Sequence, residues 1–468
     1  MRKLIWLMVL ACGLLAVIFA QQGDINILVT KTESRPKMAI IDFHGSGDAQ
    51  KFAGTFNQIL WSDVEGSGLF NMVSKSLYPA GYPQQPSDFQ QPPPLEPPNA
   101  RRKRSQAPPP VSGNGLWMSD WAGAPVSTTY LTFGFAAAQN GVFVVRGFVF
   151  DMRQPTPTGA QVIGKNYLGD ISESGARKTA HEFACDIINQ FGGKCIAGTH
   201  IYYTHQNTKF GAKEIWVMDS DGGNPRQITH YNNVPGSNFV SVSPDGSKIA
   251  FTSYAHGQPE IFVYSVDPPR DLRFYNQRAS MNGNPSFSPD GQQVIYTSSA
   301  NGCCRIFIAN VNGTGFRPIS PPGYIDAEPK INPKNGRDIA FSSDRSGHEQ
   351  VYTMNIDGGG IERLTDGQGE ASNPAWSPDG RTLAFAWTRG YMAGKFNVFL
   401  MNVATRSYIQ LTHDEGRNEN PVFAPDGVHL AFSSDRNGSE QIYTMLADGT
   451  AVQKLTSQGY NSNPAWGK

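Results

Sequence analysis

Asp326 and Glu328, with Glu419 further on, are the residues whose type and spacing come nearest to chemistry in this chain. Each stands just ahead of a short apolar strand. Carboxylates gathered round one opening could hold a metal ion and activate water. A small-ligand propeller, or a metal-dependent hydrolase or lactonase acting at a channel mouth, is therefore the alternative that the residues leave open. Their counterparts along the chain point elsewhere. Equivalent places carry Asn238-Phe239, Asn282-Gly283-Asn284, Ala327, Ser372-Asn373, Asn420 and Ser462-Asn463. Small polar donors and acceptors suit a protein surface or an inserted loop, and Asn before Pro also serves simply to set up a strand. The expectation is a binding platform with no catalytic residue, no metal ligand and no cofactor. Asp219-Ser220-Asp221-Gly222 opens like a calcium loop but lacks the later bidentate Glu, and reads as a turn. No serine has glycine on both flanks in the Gly-x-Ser-x-Gly pattern of a hydrolase elbow.

What must position these residues is a repeat. Val240, Pro285, Pro329, Pro374, Pro421 and Pro464 open six short strands spaced 43 to 47 residues apart. The clearest copy begins Asn373-Pro374-Ala375-Trp376-Ser377-Pro378-Asp379-Gly380. A second strand follows, as in Ile339–Ser342 or Leu430–Ser433, then a third, as in Val351–Met354 or Ile442–Met445, then Asp-Gly or a similar turn and often Leu-Thr. β-Branched and aromatic residues fill the strands, with Gly, Asp, Asn and Pro between them. This period, with about four strands per copy, specifies an all-β six-bladed β-propeller. Residues 199–468 open on a second strand and close on a lone inner strand, so the last strand is expected to complete the blade begun near Ile201. In the copy opened by Pro329 the Ser-Pro-Asp-Gly turn is degenerate, Asn332-Pro333-Lys334-Asn335-Gly336.

The 468 residues carry 39 basic and 39 acidic side chains, a formal charge of zero, with the two signs interleaved. Nucleic acid is not an expected partner. Arg2 and Lys3 precede an apolar run, Leu4–Phe19, and then Ala20-Gln21, which reads as a secretory signal cleaved between Ala20 and Gln21. No transmembrane segment is expected in the mature chain. Beyond it lie Cys185, Cys195, Cys303 and Cys304, an even, low count that suits an oxidising compartment and lacks zinc-site spacing. Cys185 and Cys195 flank the Gly192-Gly193 helix cap and are a candidate disulfide. The neighbours Cys303 and Cys304 are expected to stay reduced.

Residues 21–198 read as an α+β domain. Met38–Phe43 is a strand. Phe52, Phe56, Ile59, Leu60 and Val64 recur at helical spacing, and another strand follows at Leu69–Val73. A Pro-rich insertion at about 79–112, carrying Arg101-Arg102-Lys103-Arg104, is expected to be an extended, solvated loop. Beyond it come a short helix near Met118, strands at Tyr130–Gly134, Val142–Phe150 and Gln161–Leu168, and an amphipathic helix, Ala176–Phe191.

Taken together, the chain resembles the TolB family, the exported component of the Tol–Pal envelope system. The resemblance is carried by Met38–Phe43, by Asp63-Val64-Glu65-Gly66-Ser67-Gly68-Leu69-Phe70, by Trp121–Gly134, and by Ala176-Arg177-Lys178-Thr179-Ala180-His181. In the propeller it rests on Asn-Pro-Ala-Trp-Ser-Pro-Asp-Gly and on Phe341-Ser342-Ser343-Asp344-Arg345 with its twin Phe432-Ser433-Ser434-Asp435-Arg436. The Pro-rich insertion is longer than the family usually carries. The resemblance implies a non-enzymatic periplasmic adaptor, monomeric on its own. It implies docking of the peptidoglycan-associated lipoprotein Pal over the channel mouth, an extended segment Gln21–Lys31 that either contacts TolA or folds back on the protein, and support of outer-membrane integrity and of constriction at division. Some bacteriocins exploit the same surface in this family.

Overall fold

The computed structural model describes residues 35–90, 114–231, 235–266, 269–275, 281–300, 302 and 304–468, with backbone alone at 269–275. The signal segment, the Gln21–Lys31 segment, the basic run Arg101–Arg104 and Cys303 lie outside the described residues. The chain divides into two compact units, with the boundary between Ala197 and Gly198.

The first unit is a mixed sheet built from β1 (Lys37–Ile40), β2 (His44–Ser46), β3 (Asn71–Met72), β4 (Tyr130–Gln139), β5 (Val142–Asp151) and β6 (Gln161–Asp170), in the order β3-β1-β4-β5-β6 with β2 beside β4. Strand alternation sends Met38, Ile40, Phe143 and Val145 to one face. There they pack on α1 (Ala53–Gly66) and α2 (Glu173–Gln190) through Phe56, Leu60, Val64, Phe183 and Ile187. Ser172 caps α2 by accepting the Gly175 N–H at 3.0 Å. Cys185 on this helix is joined to Cys195 by a disulfide, with Cα atoms 5.1 Å apart.

On the opposite face Ala39, Leu131, Phe133, Phe148 and Phe150 are covered by Trp121 and Phe89. Here the structure corrects the expectation of a solvated insertion for its first residues, 79–90; the rest, 91–113, lies outside the described residues. Residues 79–90 are anchored to the sheet, because Phe89 sets its ring 5.5 Å from Phe133 and 5.7 Å from Phe150, with Tyr82 against the same cluster, while Ala80, Gln84, Gln85, Ser87 and Gln90 stay exposed. Three aromatics among the first residues of the stretch (Tyr78 included) outweigh the local proline content.

The second unit is a ring of six four-stranded antiparallel sheets. Blades 1 to 5 have inner strands Ser237–Val242, Asn282–Phe287, Asp326–Ile331, Ala371–Trp376 and Asn418–Phe423. Blade 6 is composite: its inner strand, Tyr460–Gly467, pairs with His200–Gln206 from the other end of the unit. The expected clasp is thus present. The apolar clusters run between blades, not within them. Ile339 and Phe341 of blade 3 pack with Ile295 and Ile308 of blade 2, and Trp376, Leu383 and Phe385 of blade 4 pack with Ala340 and Val351 of blade 3. A blade therefore has no core of its own, and ring closure and folding are one event.

Ser-Pro-Asp-Gly turns close the first hairpin of blades 1, 2 and 4 at the far end, and Ala424-Pro425-Asp426-Gly427 does so in blade 5; composite blade 6 has no such turn. In blade 4 the Ser377 hydroxyl donates to Asp379 (2.6 Å) and accepts the Thr382 N–H (3.0 Å). The degenerate turn of blade 3 uses Asn332 for the same job: its Oδ1 accepts the Lys334 N–H at 3.0 Å, and its Nδ2 donates to the Gly380 carbonyl of the next blade at 2.9 Å.

Candidate functional site: the propeller mouth and its channel

The fourteen residues expected to ring the mouth lie inside the inner strands, not in loops ahead of them, and form three tiers. The first tier is the opening residue of the strand. Asn282 and Asp326 belong here and are essentially inaccessible, at 1% and 0% exposure. Asn282 accepts from Ser298 Oγ at 2.7 Å, and Asp326 accepts from Ser343 Oγ and from Arg345 Nη2, both at 2.6 Å. Arg436 reaches Asn418 Oδ1 in blade 5 in the same way, at 2.8 Å. The Asp-Arg pairs complete the arrangement: Asp344 accepts the Ile325 N–H at 2.9 Å and Asp435 the Arg417 N–H at 2.6 Å. These groups anchor the strand ends, and Asp326 is committed to Arg345 instead of facing a ligand.

The second tier is Asn238, Gly283, Ala327, Ser372, Glu419 and Ser462. Just beyond each of them the pairing with the second strand slips by a bulge. The third tier sits in that bulge and consists of Phe239, Asn284, Glu328, Asn373, Asn420 and Asn463. All six have left-handed backbones, with φ between 50° and 56°. An αL residue in a bulge is a standard way to re-aim one side chain, and Asn tolerates αL far better than most residues. That explains four asparagines in six places. Asn before Pro thus marks a bulge in mid-strand, a more specific role than leading into one.

The third tier lines a channel cavity of about 250 Å³ running through all six blades, walled also by Pro285, Pro374, Pro421, Pro464, Trp376 and Trp466. Its side chains tie one blade to the next. Glu328 Oε1 accepts Asn373 Nδ2 (2.6 Å), while Oε2 accepts the Asn373 N–H (2.7 Å) and Ser342 Oγ (2.8 Å). The Asn284 N–H donates to Thr252 Oγ1 of the preceding blade at 3.2 Å. Replacing Glu328 and Asn373 would therefore disturb the ring as well as any docked partner.

Sequence reasoning passed over three groups. Lys330 also lines the channel, and only the alignment of repeat copies exposes it: the matching residues are Ser241, Ser286, Ala375, Val422 and Ala465. Burial pulls the Lys330 ammonium below the usual lysine range, with Glu328 opposing the shift. Next, the mouth carries interacting acids. Burial pushes Glu349 up to about 7, reinforced by Glu328, Glu370, Asp344 and Glu419. Glu419 also rises to about 7 by burial, against the pull of Arg417 and with Glu440, Glu328 and Asp435 adding to it. Glu440 is raised by burial too, partly offset by a hydrogen bond from Ser433 and by Arg417 and Lys213. Finally, large apolar side chains are exposed in connections that end at the mouth: Phe210 (85%), Met392 (75%), Ile325 (49%) and Tyr324 (44%). Phe210 and Met392 join second to third strands and Tyr324-Ile325 leads into an inner strand, so antiparallel order puts all four at the same end. Among the described residues no group of three or more His, Cys, Asp or Glu is placed to hold a metal ion.

The fold is a closed six-bladed β-propeller with a lined channel and an apolar, acidic mouth, in a chain that also carries a small α+β unit. A family model described as the TolB beta propeller domain matches residues 191–371 and 365–468, and the chain belongs to the TolB family. It is 30% identical over 267 residues to the protein TolB homolog of Chlorobium chlorochromatii, covering 56% of this chain and 47% of that one. It is 35% identical over 205 residues to the Tol-Pal system protein TolB of Bordetella pertussis, covering 43% and 46%. The matches span about half the length of these curated relatives. Among solved structures, TolB from Acinetobacter baumannii superposes with a TM-score of 0.73 at 22% identity, over 92% of this chain and 96% of that one, a likeness of fold that includes the first unit. No helix among the described residues is long and apolar enough to cross a membrane.

Proposed function

We propose that this chain is the periplasmic adaptor of a Tol–Pal envelope complex, binding a Pal-like peptidoglycan-associated lipoprotein at the propeller mouth and coupling to a TolA-like inner-membrane protein through Gln21–Lys31. Its role is mechanical linkage that supports outer-membrane integrity and constriction at division, without catalysis. Family membership supports the system. The observation that supports the mouth as the docking face is its exposed apolar set, Phe210, Tyr324, Ile325 and Met392, beside interacting carboxylates. Exposed apolar side chains rimmed by polar groups mark protein-binding surfaces, and a hydrophobic centre with a polar rim is the usual anatomy of an interface.

The test is calorimetric titration with the soluble domain of the envelope's peptidoglycan-associated lipoprotein. Ile325→Glu with Met392→Glu should weaken binding at least tenfold, about 1.4 kcal/mol, with an unchanged circular dichroism spectrum. Phe316→Glu is the control, since Phe316 is 52% exposed on a third-to-fourth-strand connection at the opposite end. Equal affinity for both variants would move the docking site off the mouth.

A further inference from the structure

Lys330 is the only charged residue among the six equivalent positions that follow the third tier; the others are Ser241, Ser286, Ala375, Val422 and Ala465. It lines the channel cavity and is half-buried. Glu328, the carboxylate nearest in the wall, is already engaged by Asn373 and Ser342 through three hydrogen bonds and forms no ion pair with Lys330. A half-buried ammonium with no hydrogen-bond acceptor among the described residues is costly. A second departure from the repeat faces the same cavity. Phe239 takes the left-handed backbone (φ 52°) where four other blades use Asn, and it is outside the apolar cluster shared by blades 6 and 1. A bulky residue held in αL is strained, and such strain gathers at binding sites.

We propose that the channel binds an organic carboxylate on an apolar stem, with the carboxylate on Lys330 and the stem against Phe239, the wall prolines and Trp376. The cavity of about 250 Å³ corresponds to roughly eight waters, enough for a ring and a carboxyl group. Apolar walls with a few placed polar groups are the usual anatomy of a small-molecule site, and Lys330 is the one cation among the residues that line this cavity. The same chemistry could come from a free small molecule or from the end of a peptide chain. This inference does not depend on the Tol–Pal reading.

The experiment is saturation-transfer NMR and calorimetry on the full mature chain with phenylacetate, phenylacetamide and a pentapeptide ending in Phe, free and amidated. Phenylacetate should bind with a millimolar or better constant and phenylacetamide at least tenfold more weakly. Lys330→Met should abolish the difference, Lys330→Arg should retain it, and Phe239→Asn should weaken both ligands alike. Binding of phenylacetate but not of the free-acid pentapeptide assigns a small molecule, and the reverse assigns a chain end. No saturation transfer from either acid at about 10 mM, or equal binding of acid and amide by the unaltered protein, overturns the proposal. The comparison of acid with amide needs no variant to fold.

Discussion

Ending the chain after Gln458 removes the inner strand of blade 6, and the structure sets the size of the consequence. That strand is matched to His200–Gln206 by six register pairs and buries Ala465 and Trp466 to 7% and 8% exposure. The Trp466 indole donates to Thr199 Oγ1 at 2.8 Å. Loss of a buried Trp side chain alone costs about 3–5 kcal/mol. Several ladder hydrogen bonds at about 1 kcal/mol each add a similar amount. The total is on the order of the whole stability of a typical domain, about 5–15 kcal/mol. Trp466→Ala is the measured half of the argument, and Trp376→Ala is its reference. Trp376 is equally buried and donates its indole N–H to the Lys330 carbonyl at 3.0 Å, but it sits in mid-ring. Both point variants should fold and lose a similar 3–5 kcal/mol, a fall in Tm of about 10 °C for a domain this size. The truncated chain should lose the propeller's cooperative melt and keep only that of the first unit by far-ultraviolet circular dichroism, and a synthetic peptide of residues 459–468 should restore the lost transition. A truncated chain melting within a few degrees of the full one would refute the claim that closure and folding are a single event.

Stability should also depend on pH. Glu349 and Glu419 both rise to about 7, so the folded state holds protons that the unfolded state releases near 4.5. The stabilisation is complete below the unfolded value and is lost as pH climbs to about 7, because the unfolded chain binds fewer protons across that window. Glu419 adds to the rise of Glu349 and Glu328 adds to both, so the two contributions are not independent and the joint effect is on the order of 2 kcal/mol. Melting curves across this range should slope downward, and a Glu349→Gln, Glu419→Gln double variant should flatten them; an unchanged slope would exclude these two groups. Replacing Cys185 and Cys195 by Ala opens a loop of sequence separation 10 and should cost about 2–3 kcal/mol in the first unit. Comparing melts of the unaltered protein with and without reductant checks it, since the variant should match the reduced form.

Much of the fold is legible in the residues because the repeat is redundant. Six copies of the inner, second and third strands, and five of the turn between the first two, each vote for the same blade, and the phase of the ends dictates the clasp. Even the degenerate turn at Asn332 keeps the right chemistry. Local spacing was less informative where packing is long-range. Proline content argued for a solvated stretch from residue 79, yet Phe89 finds Phe133 and Phe150 more than forty residues away.

The mouth shows the same division at finer scale. Residue type placed fourteen candidates at one end of the ring, since any residue beginning an inner strand must lie there. Which of them face the channel is a matter of backbone conformation. A one-residue bulge turns Asn284, Glu328 and Asn373 into the channel and leaves Asn282 and Asp326 sealed behind them, two residues earlier. Strand alternation alone would have put positions two apart on the same face. Lys330 is unremarkable beside its chain neighbours and becomes notable only when closure brings six equivalent residues round one cavity. The sequence determined the blade, the count and the order of strands through local propensity and period. Tertiary structure decided the site, because burial, charge coupling and channel access arise only when residues some forty-five apart are brought side by side.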